Sequence, residues 1–303
     1  MLEILISSVV VFCAETLIYL CRGTWQMQKK LLNISIVIYE NVPQSVFALL
    51  DVCLHESGVN RLFVIDNSKQ PHSALQMSGV EYIYNGGRNL GYGKAHNIAL
   101  RQTMEQGVPF HLVVNPDVEI QAGSLSILLE KMLSDECVGL LMPKVLSPDG
   151  EVQHLCKLLP TPSDLWLRRF APQRYARCRR LRFEMRFADY DKEMIVPYLS
   201  GCFMLLRTDV LRRAGLFDER FFLYPEDVDL SRRMFLHGKN LYFPDVKIVH
   251  AHERASYKSV RLLSLHAWNM CKYFCKWGWF FDAERERINN CVLIKYKTRD
   301  YEF

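Results

Sequence analysis

Short apolar runs alternate with longer amphipathic stretches through the first part of the chain. The pattern predicts strands at 33–39, 61–66, 81–84 and 111–114, and helices near 45–56 and 94–106. Strands that alternate with helices in this way are typical of βαβ units. We therefore expect an α/β fold with a mostly parallel, Rossmann-like sheet that is flanked by helices.

The second part of the chain continues with a helix at 123–134, a strand at 139–145, a tight turn at 147–150 and one strand at 198–206. Prolines mark 156–194 as an excursion from the main fold, and an amphipathic helix is predicted at 259–281. The predicted organisation is an apolar N-terminal segment at 1–31, a main α/β domain at 32–255 that includes the excursion, and a helical extension at 256–303.

Polar positions interrupt the apolar pattern where the fourth strand ends, at Asn115-Pro116-Asp117. Proline cannot donate to a strand ladder, so the strand stops and Asp117 is presented at its carboxyl end. Mg²⁺ and Mn²⁺ prefer oxygen ligands and share them with substrate phosphates. The tripeptide alone favours a simple turn cap, whereas the tripeptide together with the acidic group at 226–229 favours a metal-assisted transfer site.

A second polar group follows an apolar segment at Pro225-Glu226-Asp227. Proline and acidic residues suit the first turn of a helix, where the helix dipole favours negative charge. A carboxylate held at the mouth of a cleft accepts the proton of an attacking hydroxyl. The alternative is a capped helix with one surface ion pair.

Charge is concentrated in one stretch, although the net charge is only +5. Eight arginines alternate with aromatic and aliphatic residues at 166–187, a mixture that suits anionic lipid headgroups or a lipid-linked diphosphate. Nucleic-acid binding is the rival, but the stretch carries no recognised nucleic-acid module, so no nucleic acid is expected. A solvated loop without a partner is the remaining alternative.

The cysteine spacing and the N-terminal segment give expectations about the cellular compartment of the protein. The ten cysteines include no Cys-x-x-Cys pair, which favours reduced thiols and the cytoplasm. Residues 4–20 are nearly long enough to span a bilayer, yet Glu15 within them is costly there. We expect a peripheral or packed helix rather than a span, on the inner face of the cytoplasmic membrane.

Six motifs occur in a fixed order between Asn33 and about Ser256, at 65–68, 85–97, 115–117, 199–204, 215–219 and 226–229. With them the chain resembles glycosyltransferase family 2, the inverting enzymes with the GT-A fold, and most closely the bacterial rhamnosyltransferase-like members. The glycines at 86–93 do not match the spacing of a dinucleotide fingerprint. They are expected to form a backbone-lined turn near the donor sugar.

The resemblance implies roles for individual residues. Asp117 is the direct ligand of Mg²⁺ or Mn²⁺, with Asn115 in place of the usual first aspartate. His250 lies near the metal and diphosphate as a second ligand, and His252 is the alternative to it. Asp227 is the catalytic base, and Glu226 is its neighbour near the acceptor.

The same resemblance implies two sets of binding residues. The acceptor set is Gly201, Cys202 and Glu226. The donor set is Tyr39, Glu40, Asp66, Asn67, Asn89, Gly91, Lys94 and Asn115, with Asp66 at the nucleoside.

The implied activity is inverting transfer from a nucleotide-diphosphate sugar, with dTDP-rhamnose as the leading donor and UDP-sugars next. The implied acceptor is a glycan or a polyprenyl-diphosphate-linked sugar in surface polysaccharide synthesis, such as O-antigen, lipopolysaccharide or capsule. Two alternatives stay open. A catalytically weak sugar-nucleotide-binding scaffold is favoured by Asn115, and a nucleotidyltransferase is disfavoured by the Glu226-Asp227 pair.

Overall fold

The structure is a computed structural model that describes residues 30–164, 172–251 and 260–296. The strands are β1 Leu32–Ile38, β2 Val59–Asp66, β3 Val80–Tyr84, β4 Phe110–Val114, β5 Val118–Glu119, β6 Val138–Leu146, β7 Cys156–Lys157, β8 Met194–Ile195, β9 Tyr198–Leu199, β10 Phe203–Arg207 and β11 Lys239–His250. The helices are α1 Ser45–His55, α2 Tyr92–Glu105, α3 Ser124–Ser134, α4 Gln173–Phe183, α5 Thr208–Ala214, α6 Glu226–His237, α7 Val260–Trp277 and α8 Ala283–Tyr296.

One nine-stranded sheet organises the described residues, in the order β3-β2-β1-β4-β10-β6-β11-β5 with β8 paired to β11. Strands β3, β2, β1 and β4 are mutually parallel, and β6 is parallel to β11. Strand β10 runs antiparallel between β4 and β6. The predicted α/β fold with a mostly parallel sheet is confirmed.

Burial explains why the apolar runs form strands. All seven residues of β1 are buried, as are all five of β4, which is the pattern of strands covered on both faces. Helix α1 buries Val46, Leu49 and Leu50 against this layer. Burying one such side chain contributes about 1.5–3 kcal/mol. Most of the buried apolar side chains form one core, and a smaller cluster between the sheet and α2 contains Val37, Phe63, Ile65, Ala95 and Ala99.

The single strand predicted at 198–206 is wrong, because the structure has two strands, β9 and β10, with a turn between them. The apolar run hides this break. Within the turn the main-chain amide of Gly201 donates to Asp227 Oδ2 rather than to a strand neighbour. The turn thereby brings Gly201 to the first turn of α6.

The Arg-rich excursion contains a helix, α4, that the sequence analysis does not predict. Arginine is a good helix former, and α4 is fixed at its end where Leu158 N donates to Phe183 O over 3.0 Å. Side chains of Arg177 and Arg180 are exposed. Arg168 and Arg169 lie outside the described residues.

The predicted C-terminal helix is confirmed from Val260 to Trp277, and Gly278 with φ +103° follows it. The aromatic residues near its end divide into two groups. Trp277 is docked, since the Arg232 guanidinium lies 4.0 Å from its ring centroid and its indole N–H donates to Asp229. Phe280 and Phe281 are 77% and 97% exposed.

Three predictions concern residues that the structure does not describe: the N-terminal segment at 4–20, His252, and part of the Arg-rich stretch. Among the residues it does describe, none of the helices combines the length and the hydropathy that a membrane span requires.

Candidate active site

The sheet topology brings three chain segments to one edge. Strand β4 ends at Val114, which pairs with Phe203 at the start of antiparallel β10. Residues 115–117 and 200–202 therefore lie side by side, and Asn115 N donates to Cys202 O over 2.9 Å. Strand β11 ends at His250, which pairs with Val118 just after this segment.

Asp117 and His250 form a compact polar corner at this edge. His250 Nε2 lies 3.4 Å from Asp117 Oδ1, and it lies 3.5 Å from Asn115 Nδ2. The His250 side chain is only 5% exposed, whereas that of Asp117 is 26% exposed. The Asp117 carboxylate is thus the more solvent-accessible of the two side chains.

Gln153 orients the His250 ring through the nitrogen that does not face Asp117. The sequence analysis does not identify Gln153. Gln153 Nε2 donates to the His250 carbonyl over 2.7 Å, and its Oε1 lies 3.4 Å from His250 Nδ1. Burial disfavours the charged imidazole, but hydrogen bonds to Asp117 and to the Cys202 side chain prevail and raise the pKa of His250 to about 10. A metal ion takes the neutral imidazole, so binding would release this proton.

These donors fit a divalent cation that is shared with a substrate. One carboxylate and one imidazole leave most coordination positions for diphosphate oxygens and water, as Mg²⁺ sites commonly do. Over residues 30–164, 172–251 and 260–296 there is no group of three or more His, Cys, Asp or Glu side chains that would form a closed cage.

Asp227 forms a second polar corner at the start of α6. Its Oδ2 accepts hydrogen bonds from Gly201 N and from the Tyr198 hydroxyl, both over 3.0 Å, and its Oδ1 accepts one from Val228 N over 2.8 Å. These three donors fix the direction of the carboxylate. Tyr198 is a site residue that the sequence analysis misses, although it stands three residues before Gly201.

Glu226 differs from its neighbour because it is buried, with 4% exposure. Burial first, and the charge of Asp227 second, raise the pKa of Glu226 to about 8. Its Oε2 has no hydrogen-bond partner among the described residues. The raised pKa of Glu226 favours its neutral form at neutral pH.

Tyr92 lies between the two corners. Its hydroxyl donates to Gly201 O over 2.6 Å. Burial raises the pKa of Tyr92 well above its usual value, and the nearby Cys202, Glu226, Asp227 and Asp117 add to the effect. Because Cys202 also contacts His250, the turn Gly201-Cys202 joins the corner of Asp227 to the corner of Asp117.

Asp66 and Asn67 lie at the predicted edge of the sheet, but both are buried and point at protein groups. Asp66 accepts hydrogen bonds from Ser68 N, His72 N and the Tyr82 hydroxyl. Burial opposes its ionisation, yet these bonds lower the pKa of Asp66 to about 2. Asn67 donates to Gly91 O over 3.2 Å.

The other predicted donor residues are more open or have other partners. Tyr39 and Glu40 are exposed where β1 ends, and the Tyr39 side chain is 51% exposed. Asn89 Oδ1 accepts a hydrogen bond from Gly91 N. Lys94 Nζ lies 3.4 Å from Glu219 Oε2, so it forms a surface ion pair in this structure.

Gly91 shows why this turn requires glycine. Its φ is +81°, and an added Cβ would lie 2.3 Å from Phe222 O. A side chain is excluded there by both the backbone conformation and the available space. The turn is therefore packed directly against the segment that leads into Glu226.

Comparison with known proteins supports the resemblance, although no protein-family model matches the chain. The chain is 31% identical over 203 residues to an N-acetylglucosaminyl-diphospho-decaprenol L-rhamnosyltransferase of Mycobacterium tuberculosis. The alignment covers 59% of this chain and 62% of the relative, so the chain spans less than two thirds of the length of the curated relatives that it matches.

Solved structures show the same fold. S. aureus TarS superposes with a TM-score of 0.52 at 15% identity, over 86% of this chain and 42% of TarS. GalNAc-T7 with UDP, GalNAc and Mn²⁺ superposes with a TM-score of 0.50 at 14% identity, over 72% and 42%. The chain therefore has the GT-A fold and resembles the rhamnosyltransferase-like members of glycosyltransferase family 2, as its motifs predict.

Proposed function

We propose that this chain is an inverting glycosyltransferase that moves a sugar from a nucleotide-diphosphate donor to an acceptor hydroxyl. The observation that carries the proposal is the junction at Gly201 and Cys202. Gly201 N binds Asp227 Oδ2, and Cys202 contacts His250, which lies 3.4 Å from Asp117. A carboxylate for proton transfer and a carboxylate for a metal thus border the same turn.

Asp227 serves as the general base in this proposal. It takes the proton of the acceptor hydroxyl while the hydroxyl oxygen forms a bond to the anomeric carbon, and the bond from that carbon to the diphosphate breaks. Attack opposite the leaving group inverts the anomeric configuration. Gly201 and Tyr198 hold the carboxylate in one orientation throughout, and such positioned bases contribute about 10²–10⁴ in rate.

Asp117 and His250 would hold the divalent cation, and Asn115 would contact the donor beside it. When bound, the cation neutralises negative charge on the departing diphosphate. Glu226 supports the same step by remaining uncharged next to Asp227. A second carboxylate charge there would repel both the base and the diphosphate.

The proposed acceptor follows from the substrate named for the M. tuberculosis relative. The M. tuberculosis protein is named for a diphospho-decaprenol substrate, so we assign a polyprenyl-diphosphate-linked sugar to this chain and rhamnose from dTDP-rhamnose as the donor sugar. The product would belong to a surface polysaccharide. Polyprenyl lipids are held in membranes, and the enzyme therefore needs access to a membrane surface.

We assign the membrane contact to Phe280, Phe281 and the exposed arginines of α4. Arg285 donates to Pro160 O over 3.4 Å, and Asp164 pairs with Arg179 over 3.1 Å. The aromatic turn and the basic helix therefore flank the same segment. Exposed aromatic rings beside arginines suit the interface of an anionic bilayer, which supports peripheral binding on the cytoplasmic side.

The decisive experiment incubates the purified protein with dTDP-rhamnose or UDP-sugars, a polyprenyl-diphosphate-linked N-acetylglucosamine and Mn²⁺ or Mg²⁺. The proposal predicts acceptor-dependent release of nucleoside diphosphate and a product of inverted configuration. Donor binding without release for any acceptor would instead favour the scaffold that Asn115 suggests. Formation of a sugar nucleotide from a sugar phosphate would identify a nucleotidyltransferase.

The membrane contact is tested by sedimentation with vesicles that contain anionic phospholipid. Phe280→Ser with Phe281→Ser should lower the bound fraction, because two exposed rings are removed from the interface. Leu133→Ser, a change at an exposed apolar residue of α3, is the matched control and should bind like the parent. Equal binding of all three proteins would contradict this assignment.

A further inference from the structure

One face of helix α7 contacts the segment 218–225, which leads into the proposed base. The side-chain amide of Asn269 donates from Nδ2 to Leu223 O over 2.9 Å. Lys272, three positions further along the helix, donates from Nζ to Arg220 O, also over 2.9 Å. Residues three positions apart are neighbours on a helix surface, so both donors belong to the same face of α7. Asn269 is fully buried in this contact.

Lys276 joins the start of this segment to helix α6. Its Nζ lies 2.8 Å from Asp218 Oδ2 and 2.7 Å from Asp229 Oδ1. Burial disfavours the charged form of Asp218, but hydrogen bonds from Lys276 and Arg220 prevail and lower its pKa. Asp229 lies in the first turn of α6, is fully buried, and also accepts from the Trp277 indole over 2.8 Å. One ammonium group therefore fixes both ends of the connection to α6.

The same segment also contacts the start of α2. Phe222 O accepts from Tyr92 N over 3.1 Å, whereas the next carbonyl, that of Leu223, accepts from Asn269. Consecutive carbonyls thus bond to two different elements. Residues 218–225 form no helix or strand of their own, so their conformation depends on these tertiary contacts.

The backbone next to the Asn269 contact is strained. Tyr224 follows Leu223 and has φ +53°, a region that residues other than glycine rarely adopt. Such a conformation persists where the surrounding contacts enforce it. Tyr224 stands three positions before Asp227, so a change in its backbone alters how the chain enters α6.

We propose that Asn269 and Lys276 are positioning residues that hold Asp227 in line with the acceptor hydroxyl. The inference rests on the proposed function, because it concerns the placement of the base in that reaction. Asn269 acts through Leu223 O, and Lys276 acts through the two carboxylates that it joins. Loss of either contact relaxes the segment and displaces the base, and a displacement of about 1 Å costs about 10²-fold in rate.

The test compares kcat and donor Kd, with the donor that the parent uses and a water-soluble, short-chain diphosphate-linked N-acetylglucosamine as acceptor. Calorimetry counts the donor-binding sites, and kcat per site removes any loss of folded protein. Asn269→Ala removes the donor to Leu223 O, so kcat per site should fall about 10- to 100-fold. Lys276→Met should act in the same direction. Donor Kd should stay within a few-fold of the parent in both variants.

Two further variants separate positioning from stability. Lys276→Arg keeps a charged donor between the two carboxylates, so it should retain most of the parent kcat. Asn289→Ala is the matched control, because Asn289 is also buried in the C-terminal helices and exchanges two hydrogen bonds with the main chain of Leu159. It should lower the free energy of unfolding but leave kcat per site at the parent value.

Parent kcat per site in both Asn269→Ala and Lys276→Met would overturn the inference alone. A fall in Asn289→Ala as large as in Asn269→Ala would do the same, because these contacts would then serve stability only. If Asn269→Ala does not fold, the two Lys276 variants carry the comparison, since this side chain is 21% exposed. Equal losses in Lys276→Met and Lys276→Arg would then overturn the role of the ammonium bridge. A folded parent that transfers sugar to no acceptor would overturn the proposed function, and the inference with it.

Discussion

The main-chain amide of Gly201 donates a hydrogen bond to Asp227 Oδ2 over 3.0 Å. An added Cβ at Gly201 would lie 3.1 Å from Asp227 Cβ, so the turn and the first turn of α6 are in close contact. The next residue, Cys202, contacts His250. The position of the proposed base is therefore coupled to the position of the proposed metal ligands through two consecutive residues.

Replacement of the base is the first test of that arrangement. Asp227→Asn removes the proton acceptor but keeps the size of the side chain, so kcat should fall by about 10²–10⁴. Donor affinity should stay within a few-fold of the parent, since Asp227 is assigned to the acceptor. Asp209→Asn, at an exposed aspartate of α5, is the control. Near-parent turnover in Asp227→Asn would remove Asp227 from the role of base.

Metal binding depends on Asp117 in this account. Asp117→Ala removes the open carboxylate of the corner, so the gain in nucleotide affinity on adding Mn²⁺ should shrink by about tenfold or more, as for loss of a group that supports a metal site. Titration calorimetry of UDP or dTDP with Mn²⁺ and with EDTA measures the gain. Asp51→Ala, at an exposed residue of α1, serves as the control. An unchanged response to Mn²⁺ would exclude Asp117 as a ligand.

Glu226 should make the protein less stable as pH rises. Its pKa is raised from 4.5 to about 8 by burial and by Asp227, so the folded state binds a proton that the unfolded state loses above about pH 4.5. The associated stability is complete below that pH and declines as pH rises toward 8, by at most about 1.4 kcal/mol per pH unit. Glu226→Gln should abolish this decline.

Urea unfolding at about pH 5 and pH 8 measures the effect, because these values bracket most of the titration. Glu226→Gln should gain stability relative to the parent at the higher pH. Glu119→Gln changes an exposed carboxylate and should keep the parent profile. If the stabilities of parent and Glu226→Gln differ by the same amount at both pH values, Glu226 is not protonated in the folded state.

The buried pair of Arg232 and Asp282 anchors α6 to the C-terminal helices. Arg232 donates to both oxygens of Asp282, over 2.6 and 2.8 Å, and both side chains are almost fully buried. Asp282→Ala removes both of these bonds and leaves the buried guanidinium with only Glu284, 38% exposed and 3.0 Å away, as a carboxylate partner. It should cost up to about 3–5 kcal/mol of unfolding free energy. Asp209→Ala, which breaks the exposed pair with Arg212, should leave the unfolding transition unchanged. If Asp282→Ala and Asp209→Ala change the free energy of unfolding equally, the buried pair contributes nothing to stability.

The sequence predicts the first four strands because each is a compact apolar run that is buried on both faces. It predicts the edge location of Asn115 and Asp117 because the carboxyl ends of parallel strands meet there. It does not predict the break at Gly201, since the flanking residues 198–206 are almost all apolar. Only contact with Asp227 shows why the chain turns there.

Buried polar residues limit how well the sequence predicts helix α8 and the contacts of Asp66. Helix α8 carries Arg285 and Asn289 on its buried side, where they bond main-chain groups of Pro160 and Leu159. Such positions remove the apolar periodicity on which helix prediction depends. Asp66 gives a related lesson, because its place at the edge follows from the sequence, whereas its engagement with His72 depends on tertiary contacts.

The central claim is that a cation at Asp117 and a base at Asp227 act on the same sugar nucleotide. A crystal structure with Mn²⁺ and UDP or dTDP, with the ion located by anomalous scattering, tests it most directly. We predict Mn²⁺ bound to Asp117 and to the diphosphate, with Asp227 facing the space beyond the terminal phosphate. Nucleotide and metal bound elsewhere, for example in the cavity lined by Asn60, Arg61 and Gln106 at the opposite edge of the sheet, would contradict the account.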